Sequence, residues 1–253
     1  MNEIMKELFQ ERLGEECGEA FYELYAWWLL ALARYDEFNR LFGSRRHVEH
    51  LNAIGGGFFG DVQHIFWDDL MLRLCRLTDP VGAGTRRNLT IQIMPGLCAP
   101  TLRNGIQSLV DQAVEAVGFA RDHRNRRIAH ADYHLALRQD CEPLPAASLE
   151  KAKRSLDSIH AVLDTVLVSQ SGRGIDNHVT TAVPGAEALL AYTSQMARAL
   201  VFIDSIVDST GESSHTDSGV VEEFLRKLGR PLEEVDEVME LRAAAKRLRG
   251  PNR

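Results

Sequence analysis

Apolar residues recur every three or four positions along most of this chain, which is the spacing of an amphipathic α-helix. The pattern predicts an all-α fold, a helical bundle with additional C-terminal helices. Ser148 precedes one apolar stripe and is a residue type favoured at helix N-caps. Helices are predicted at 4–41 (as one or two helices), 46–77, 106–120, 149–166, 186–207, 220–228 and 232–248.

Glycine, proline and polar residues divide these helices. Three consecutive glycines, Gly55 to Gly57, predict a break inside the second helical region, because each costs about 1 kcal/mol in a helix relative to alanine. Asp79-Pro80 ends that region, and residues 81–100, which include Arg86 and Arg87, are expected to form an exposed loop. A Ser/Thr/Gly/Asp run at 209–218 predicts a hinge. We therefore expect one domain over 1–207 and an appendage over 208–253.

Composition indicates a globular protein. Of the 253 residues, 45% are hydrophobic and 26% are charged, so the chain can bury a sizeable core. No apolar run approaches the roughly 18 residues that span a bilayer, and the N-terminus lacks a signal-peptide pattern, so we expect a cytoplasmic protein without membrane association. The four cysteines include no Cys-x-x-Cys pair, which favours free or buried thiols over disulfides or a zinc knuckle.

A short basic stretch, residues 121–134, stands out in this acidic chain, whose formal net charge is −7. It contains four arginines and three histidines. In a straight helix, Arg124 would point about 120° away from His130, at roughly 100° per residue. For both to act on one phosphate, the backbone must leave the helix or a second subunit must help. In the same straight helix, His130 would share one face with four further residues, His123, Arg126, Arg127 and His134.

Arg124-Asn125, four further residues and then His130 form a motif that resembles the HEPN superfamily. The phrase RNRRIAHAD, with FFGDVQHIFWDDLMLRLCRLTDP upstream, is more narrowly similar to the abortive-infection U branch of that superfamily. The resemblance extends over about residues 20–170. It implies a HEPN-like helical bundle.

The resemblance also implies an activity, that of a metal-independent endoribonuclease acting as a toxin or antiphage-defence effector without a cofactor. His130 would take a proton from a ribose 2′-OH and return one to the leaving 5′-oxygen, giving a 2′,3′-cyclic phosphate. Arg124 would clamp the scissile phosphate, and Asn125 would orient the phosphate or the histidine ring.

Other residues have secondary expected roles. Contacts to the RNA backbone are expected from Arg121, Arg126, Arg127 and His134. Supporting roles are expected for Asp61, Asp132 and Tyr133, and Asp61, Asp68 or Asp69 would hold Arg124 or Arg121 in place. In one family variant, a partner enzyme modifies a tyrosine two residues after the motif histidine, whereas Tyr133 stands three residues after His130. The expected partners are RNA, a second copy of the chain, and an antitoxin or neighbouring defence protein.

Three alternatives remain at this point. A non-catalytic HEPN protein would use the same stretch to bind or sense RNA or a nucleotide. His130 and His134 have the i, i+4 spacing of a zinc pair, but no glutamate follows the first histidine and no third ligand is evident. Trp27 and Trp28 are expected in the core or at a dimer contact, with base stacking as the other option.

Overall fold

The computed structural model describes residues 3–85, 87–138, 142–172 and 185–195, and the single residues 198, 222 and 226. Every regular element in these residues is helical, which confirms the predicted all-α class. Between residues 3 and 172, two short turns are not α-helical, a 3₁₀ turn at Ile91–Ile93 and a π-helical turn at Arg124–Ile128. The α-helices of the same range are α1 (Glu3–Leu13), α2 (Glu15–Phe42), α3 (Arg45–Thr78), α4 (Met94–Leu97), α5 (Arg103–Ala116), α6 (Gly118–His123), α7 (Tyr133–Ala136) and α8 (Leu149–Ser171).

Glycines allow α1 and α2 to meet as two helices. Gly14 separates them with a φ of 85°, a left-handed conformation that favours glycine. One turn later, a Cβ added to Gly18 would lie 2.4 Å from the backbone of Gln10. A side chain at this position would therefore push the two helices apart.

The core lies between α2, α3, α5 and α8. Buried residues of α2 and α8 repeat at the same intervals, so that each helix presents one apolar stripe. The indole Nε1 of Trp28 donates to the carbonyl of Leu156 at 3.0 Å, which satisfies its polar atom inside this core. The stripes consist of Cys17, Phe21, Leu24, Trp28 and Ala31 on α2, and of Ala152, Leu156, Ile159, Leu163 and Val166 on α8.

Helix α3 bends where the glycines predicted a break. Gly55 has non-helical dihedral angles, φ −170° and ψ 68°, and the helix continues on both sides of it. Its last turn is deeply buried through Leu74, Leu77 and Thr78. The helix ends at Thr78 and Asp79 is extended, as Asp79-Pro80 predicted, because a proline disfavours the helical conformation of the residue before it.

The loop prediction for 81–100 was wrong for its second half. Thr90 begins a 3₁₀ turn, and Ile91 and Met94 are fully buried against the core. Glycine and proline made this segment look exposed, whereas its apolar residues cover the end of the bundle. The first half does follow the surface, and Arg87 and Asn88 are exposed there.

His160 gives the fold a dependence on pH. Its ring packs on Trp28 with centroids 4.8 Å apart, and burial lowers the pKa of His160 below the usual 6.5. The unfolded chain takes up this proton near pH 6.5 and the folded chain only at lower pH, so stability falls as the pH drops through that interval. Between about pH 7.5 and about pH 5.5, the melting temperature of wild type should fall further than that of His160→Gln. Equal losses would contradict this.

The chain divides into two compact units, Met1–Glu187 and Ala188–Arg253. In the second unit, residues 188–195 are helical. The predicted boundary at 207/208, the hinge at 209–218 and the two last helices lie outside the described residues. No described helix combines the length and the apolar character that crossing a bilayer would require. Three thiols, Cys17, Cys75 and Cys98, are buried and free, while Cys141 is outside the described residues.

Candidate active site

The basic stretch does not form a straight helix. After α6 ends at His123, the backbone widens into a π-helical turn, in which the N–H of Ala129 donates to the carbonyl of Arg124 at 2.8 Å. The N–H of Asp132 then donates to the carbonyl of Arg126 at 3.1 Å, which closes a still wider turn. The five residues that would share one face of a straight helix therefore do not form such a face. The backbone therefore leaves the straight helix between Arg124 and His130, which is one of the two conditions under which both side chains could act on one phosphate.

Asp132 fixes the end of this wide turn. Its carboxylate accepts from the N–H of Leu135 at 2.9 Å and so begins the short helix α7. That backbone N–H, together with the nearby guanidinium of Arg126, holds the pKa of Asp132 below its usual value. Arg126 Nε lies 3.7 Å from the same carboxylate, and its Nη2 donates to the carbonyl of Glu142 at 2.6 Å. Asp132 thus supports the local backbone.

Arg124 is held by two side chains. Its Nη1 donates to both carboxylate oxygens of Asp79, at 2.7 and 2.5 Å, and its Nε donates to the amide oxygen of Asn125 at 3.0 Å. The contact with Asp79 raises the pKa of Arg124. Guanidinium carries five N–H donors, and Nη2 takes part in neither of these contacts. Arg124 is therefore fixed in position with one edge available.

Arg121 holds the end of α3. Its Nη1 donates to the carbonyl of Val114 at 2.8 Å, and its Nη2 donates to the carbonyl and the hydroxyl of Thr78 at 2.8 and 2.7 Å. Gln92 donates to the same Thr78 carbonyl at 2.8 Å. A helix C-terminus leaves carbonyls without partners, and cations stabilise its dipole. These contacts commit the guanidinium of Arg121 to the fold rather than to an RNA phosphate.

The carboxylate that holds Arg124 is Asp79, and the expectation for Asp61, Asp68 or Asp69 was wrong. Asp69 pairs with Arg34 at 2.9 Å and with Arg73 at 2.8 Å. Asp68 pairs with Arg127, and Asp61 is exposed on α3. The chain turns sharply after Thr78, which brings Asp79 under the basic stretch, whereas the other three lie further back along the helix. Arg121 Nε also lies 3.7 Å from Asp79.

The remaining predicted site residues lie at the surface. Asn125, His130 and His134 are exposed, and His130 stands in the turn between the π-helical segment and α7. Tyr133 is also exposed, with its ring 5.4 Å from that of His134 in an edge-on arrangement. His123 is more enclosed, and its Nε2 donates to the carbonyl of Pro145 at 2.9 Å. The described residues contain no cluster of potential metal ligands, so the zinc alternative gains no support.

An open cleft of about 550 Å³ lies beside Arg124. Residues from α2, from the last turns of α3 and from the following loop form its walls. Four of the lining residues had candidate roles from the sequence, namely Trp27, Asp69, Arg87 and Arg124, whereas Arg76 had none. Arg86 is outside the described residues. The lining residues are Trp27, Asp69, Leu72, Arg73, Arg76, Asp79, Arg87, Asn88, Leu89 and Arg124.

The HEPN_AbiU2 family model, described as AbiU2, matches residues 3–178. The match covers more than half of the chain, so the chain belongs to the AbiU2 family of HEPN domains. It indicates an RNase-like or abortive-infection domain. No curated protein and no solved structure matched the chain.

Proposed function

We propose that this protein is a metal-independent endoribonuclease that acts as a toxin or antiphage-defence effector in the cytoplasm. The observation that carries the proposal is the geometry of Arg124 in a chain of this family. Asp79 and Asn125 hold its guanidinium from two sides, its Nη2 edge takes part in neither contact, and it lines an open cleft. Preorganised donors of this kind stabilise charge that develops on phosphate oxygens.

In the proposed reaction, the ribose 2′-oxygen bonds to phosphorus while the bond from phosphorus to the 5′-oxygen breaks. His130 takes the 2′-OH proton and gives a proton to the 5′-oxygen, and Arg124 binds the phosphate oxygens. The products are a 2′,3′-cyclic phosphate and a 5′-hydroxyl. Asn125 positions Arg124 through its amide oxygen, and Arg126, Arg127 and His134 would contact the RNA backbone.

The direct test is incubation of the purified protein with total cellular RNA and tRNA in EDTA. We expect discrete cleavage and fragments that end in 2′,3′-cyclic phosphates. Absence of cleavage by folded protein, together with RNA or nucleotide binding that depends on Arg124, would instead establish the non-catalytic binding protein.

We further propose that the protein works as a homodimer. Phe58, Ile65 and Leu72 follow one another at intervals of seven on α3, so they share one face, and all three are exposed. Exposed apolar stripes of this kind mark contact surfaces, and a second copy can present the same stripe by two-fold symmetry. Leu72 also borders the cleft, so such a contact would place the two sites near each other.

Ile65→Glu should convert the dimer to a monomer, because it buries a charge in the apolar contact. Mass in solution by light scattering measures this directly. Val168→Glu is the matched control, since Val168 is an exposed apolar residue on α8 and should leave the mass unchanged. A monomeric wild type, or a dimer that Ile65→Glu leaves intact, would contradict the proposal. An antitoxin or neighbouring defence protein remains part of the proposed cellular role.

A further inference from the structure

The cleft beside Arg124 carries more positive than negative charge. Its walls carry four arginines, Arg73, Arg76, Arg87 and Arg124, and two carboxylates. Both carboxylates already form ion pairs. Asp69 pairs with Arg73 and Arg34, and Asp79 pairs mainly with Arg124. Within the described part of the chain, no carboxylate lies within 4.0 Å of Arg76 or Arg87. Two exposed cations without counter-charge in one cleft attract an anionic ligand, even on a protein of net charge −7.

Arg76 is oriented by an aromatic ring. Its guanidinium carbon lies 5.4 Å from the ring centroid of Trp27, within the range of a cation–π contact. Trp27 is half-buried on α2 and packs against the core, so it supports Arg76 from a rigid element. A planar guanidinium on an aromatic ring offers a surface on which an unpaired base can stack.

Arg87 is placed by the loop that follows α3. The neighbouring Asn88 donates from its backbone N–H to the carbonyl of Val81 at 2.7 Å and from its side chain to the carbonyl of Pro80 at 2.9 Å. These two bonds tie the loop back to the end of α3, where Asp79 holds Arg124. Arg87 therefore extends from an anchored backbone into the same cleft as the motif arginine.

We infer that this cleft is a subsite for single-stranded RNA next to the scissile phosphate. Arg76 and Arg87 bind consecutive phosphates, and a base stacks on the Arg76 and Trp27 pair. The inference rests on the proposed ribonuclease function and names the class of its substrate. A volume of about 550 Å³ lies within the range of small-ligand sites, of roughly 300–1,000 Å³, so it suits a nucleotide unit.

The test measures binding of a fluorescent 2′-O-methyl RNA of about ten nucleotides, which lacks the attacking 2′-OH, to the full chain at several salt concentrations. The double variant Arg76→Ala with Arg87→Ala should weaken binding about tenfold or more. Loss of two phosphate contacts should reduce the slope of log affinity against log salt by about 1.4. Trp27→Leu should weaken binding and leave that slope unchanged.

The matched control is Arg45→Ala with Arg46→Ala. It removes the same charge from exposed positions at the opposite end of α3, so affinity and slope should stay close to wild type. Equal effects of the two double variants would overturn the subsite. So would binding of AMP as tight as that of the oligonucleotide, because the cleft would then hold a free nucleotide.

The two proposals fail separately. If wild type cleaves RNA and the cleft variants bind like the control, the subsite is wrong and the ribonuclease remains. If wild type cleaves no RNA, and the oligonucleotide nevertheless binds through Arg76 and Arg87, the proposed ribonuclease activity is wrong and the RNA subsite stands. Both positions are exposed, and a melting curve for each variant verifies that the fold is retained.

Discussion

His130→Ala and Arg124→Ala should each reduce RNA cleavage by about 10²-fold or more. Positioned general acid–base groups contribute roughly 10²–10⁴ to a rate, and removal of one donor to a developing oxyanion costs about 10²–10³. His130 is exposed, so its substitution should leave stability within about 0.5 kcal/mol of wild type. The measurement is the initial rate on a labelled RNA in EDTA, with the cyclic-phosphate end group identified.

Matched controls separate chemistry from folding and charge. Arg124→Lys keeps a cation beside Asp79 but loses the planar fork, so it should remain folded and still cleave poorly. His64→Ala and Arg46→Ala remove the same residue types from exposed positions on α3 and should cleave like wild type. Undiminished cleavage by His130→Ala would remove His130 from the mechanism and with it the proposed proton transfer.

The helices could be predicted because the apolar pattern that defines each helix lies within the helix itself. The stripes on α2 and α8 repeat at three and four residues, and each helix buries the face that its own sequence defines. Gly55 and Asp79-Pro80 likewise act on the backbone at their own positions. The buried turn at Ile91 and Met94 was missed because glycine and proline nearby carry the composition of an exposed loop. Its burial depends on where the end of the bundle lies.

The candidate site was only partly predictable. Arg124 and His130 follow from a motif within seven residues, but the partner of Arg124 is 45 positions earlier. From the sequence, Asp79 was expected only to end a helix. A carboxylate at this position lies next to the negative end of the helix dipole, so it needs a cation nearby. This unfavourable placement was the signal in the sequence that Asp79 has a basic partner. The cleft joins α2, α3 and a loop, so Trp27 and Arg76 could not be placed in it before the fold was known.

Asp79→Asn should slow cleavage and at the same time tighten RNA binding. Asp79 fixes Arg124, and misplacement of a catalytic group by about 1 Å can cost 10²-fold in rate. Its negative charge also opposes the phosphate, so its removal should raise the affinity for uncleavable RNA. Loss of a charge-assisted hydrogen bond at this partly buried pair should cost about 1–3 kcal/mol of unfolding free energy. Single-turnover rates, binding and denaturant unfolding measure the three effects.

Asp68→Asn is the matched control, since it removes the same charge from a carboxylate that pairs with Arg127 instead of Arg124. It should tighten RNA binding in the same direction and leave the single-turnover rate near wild type. A faster rate in Asp79→Asn would overturn the positioning role. Asp79 would then be a competitor that phosphate must displace from Arg124, and the contact between them would hold the enzyme in a resting state.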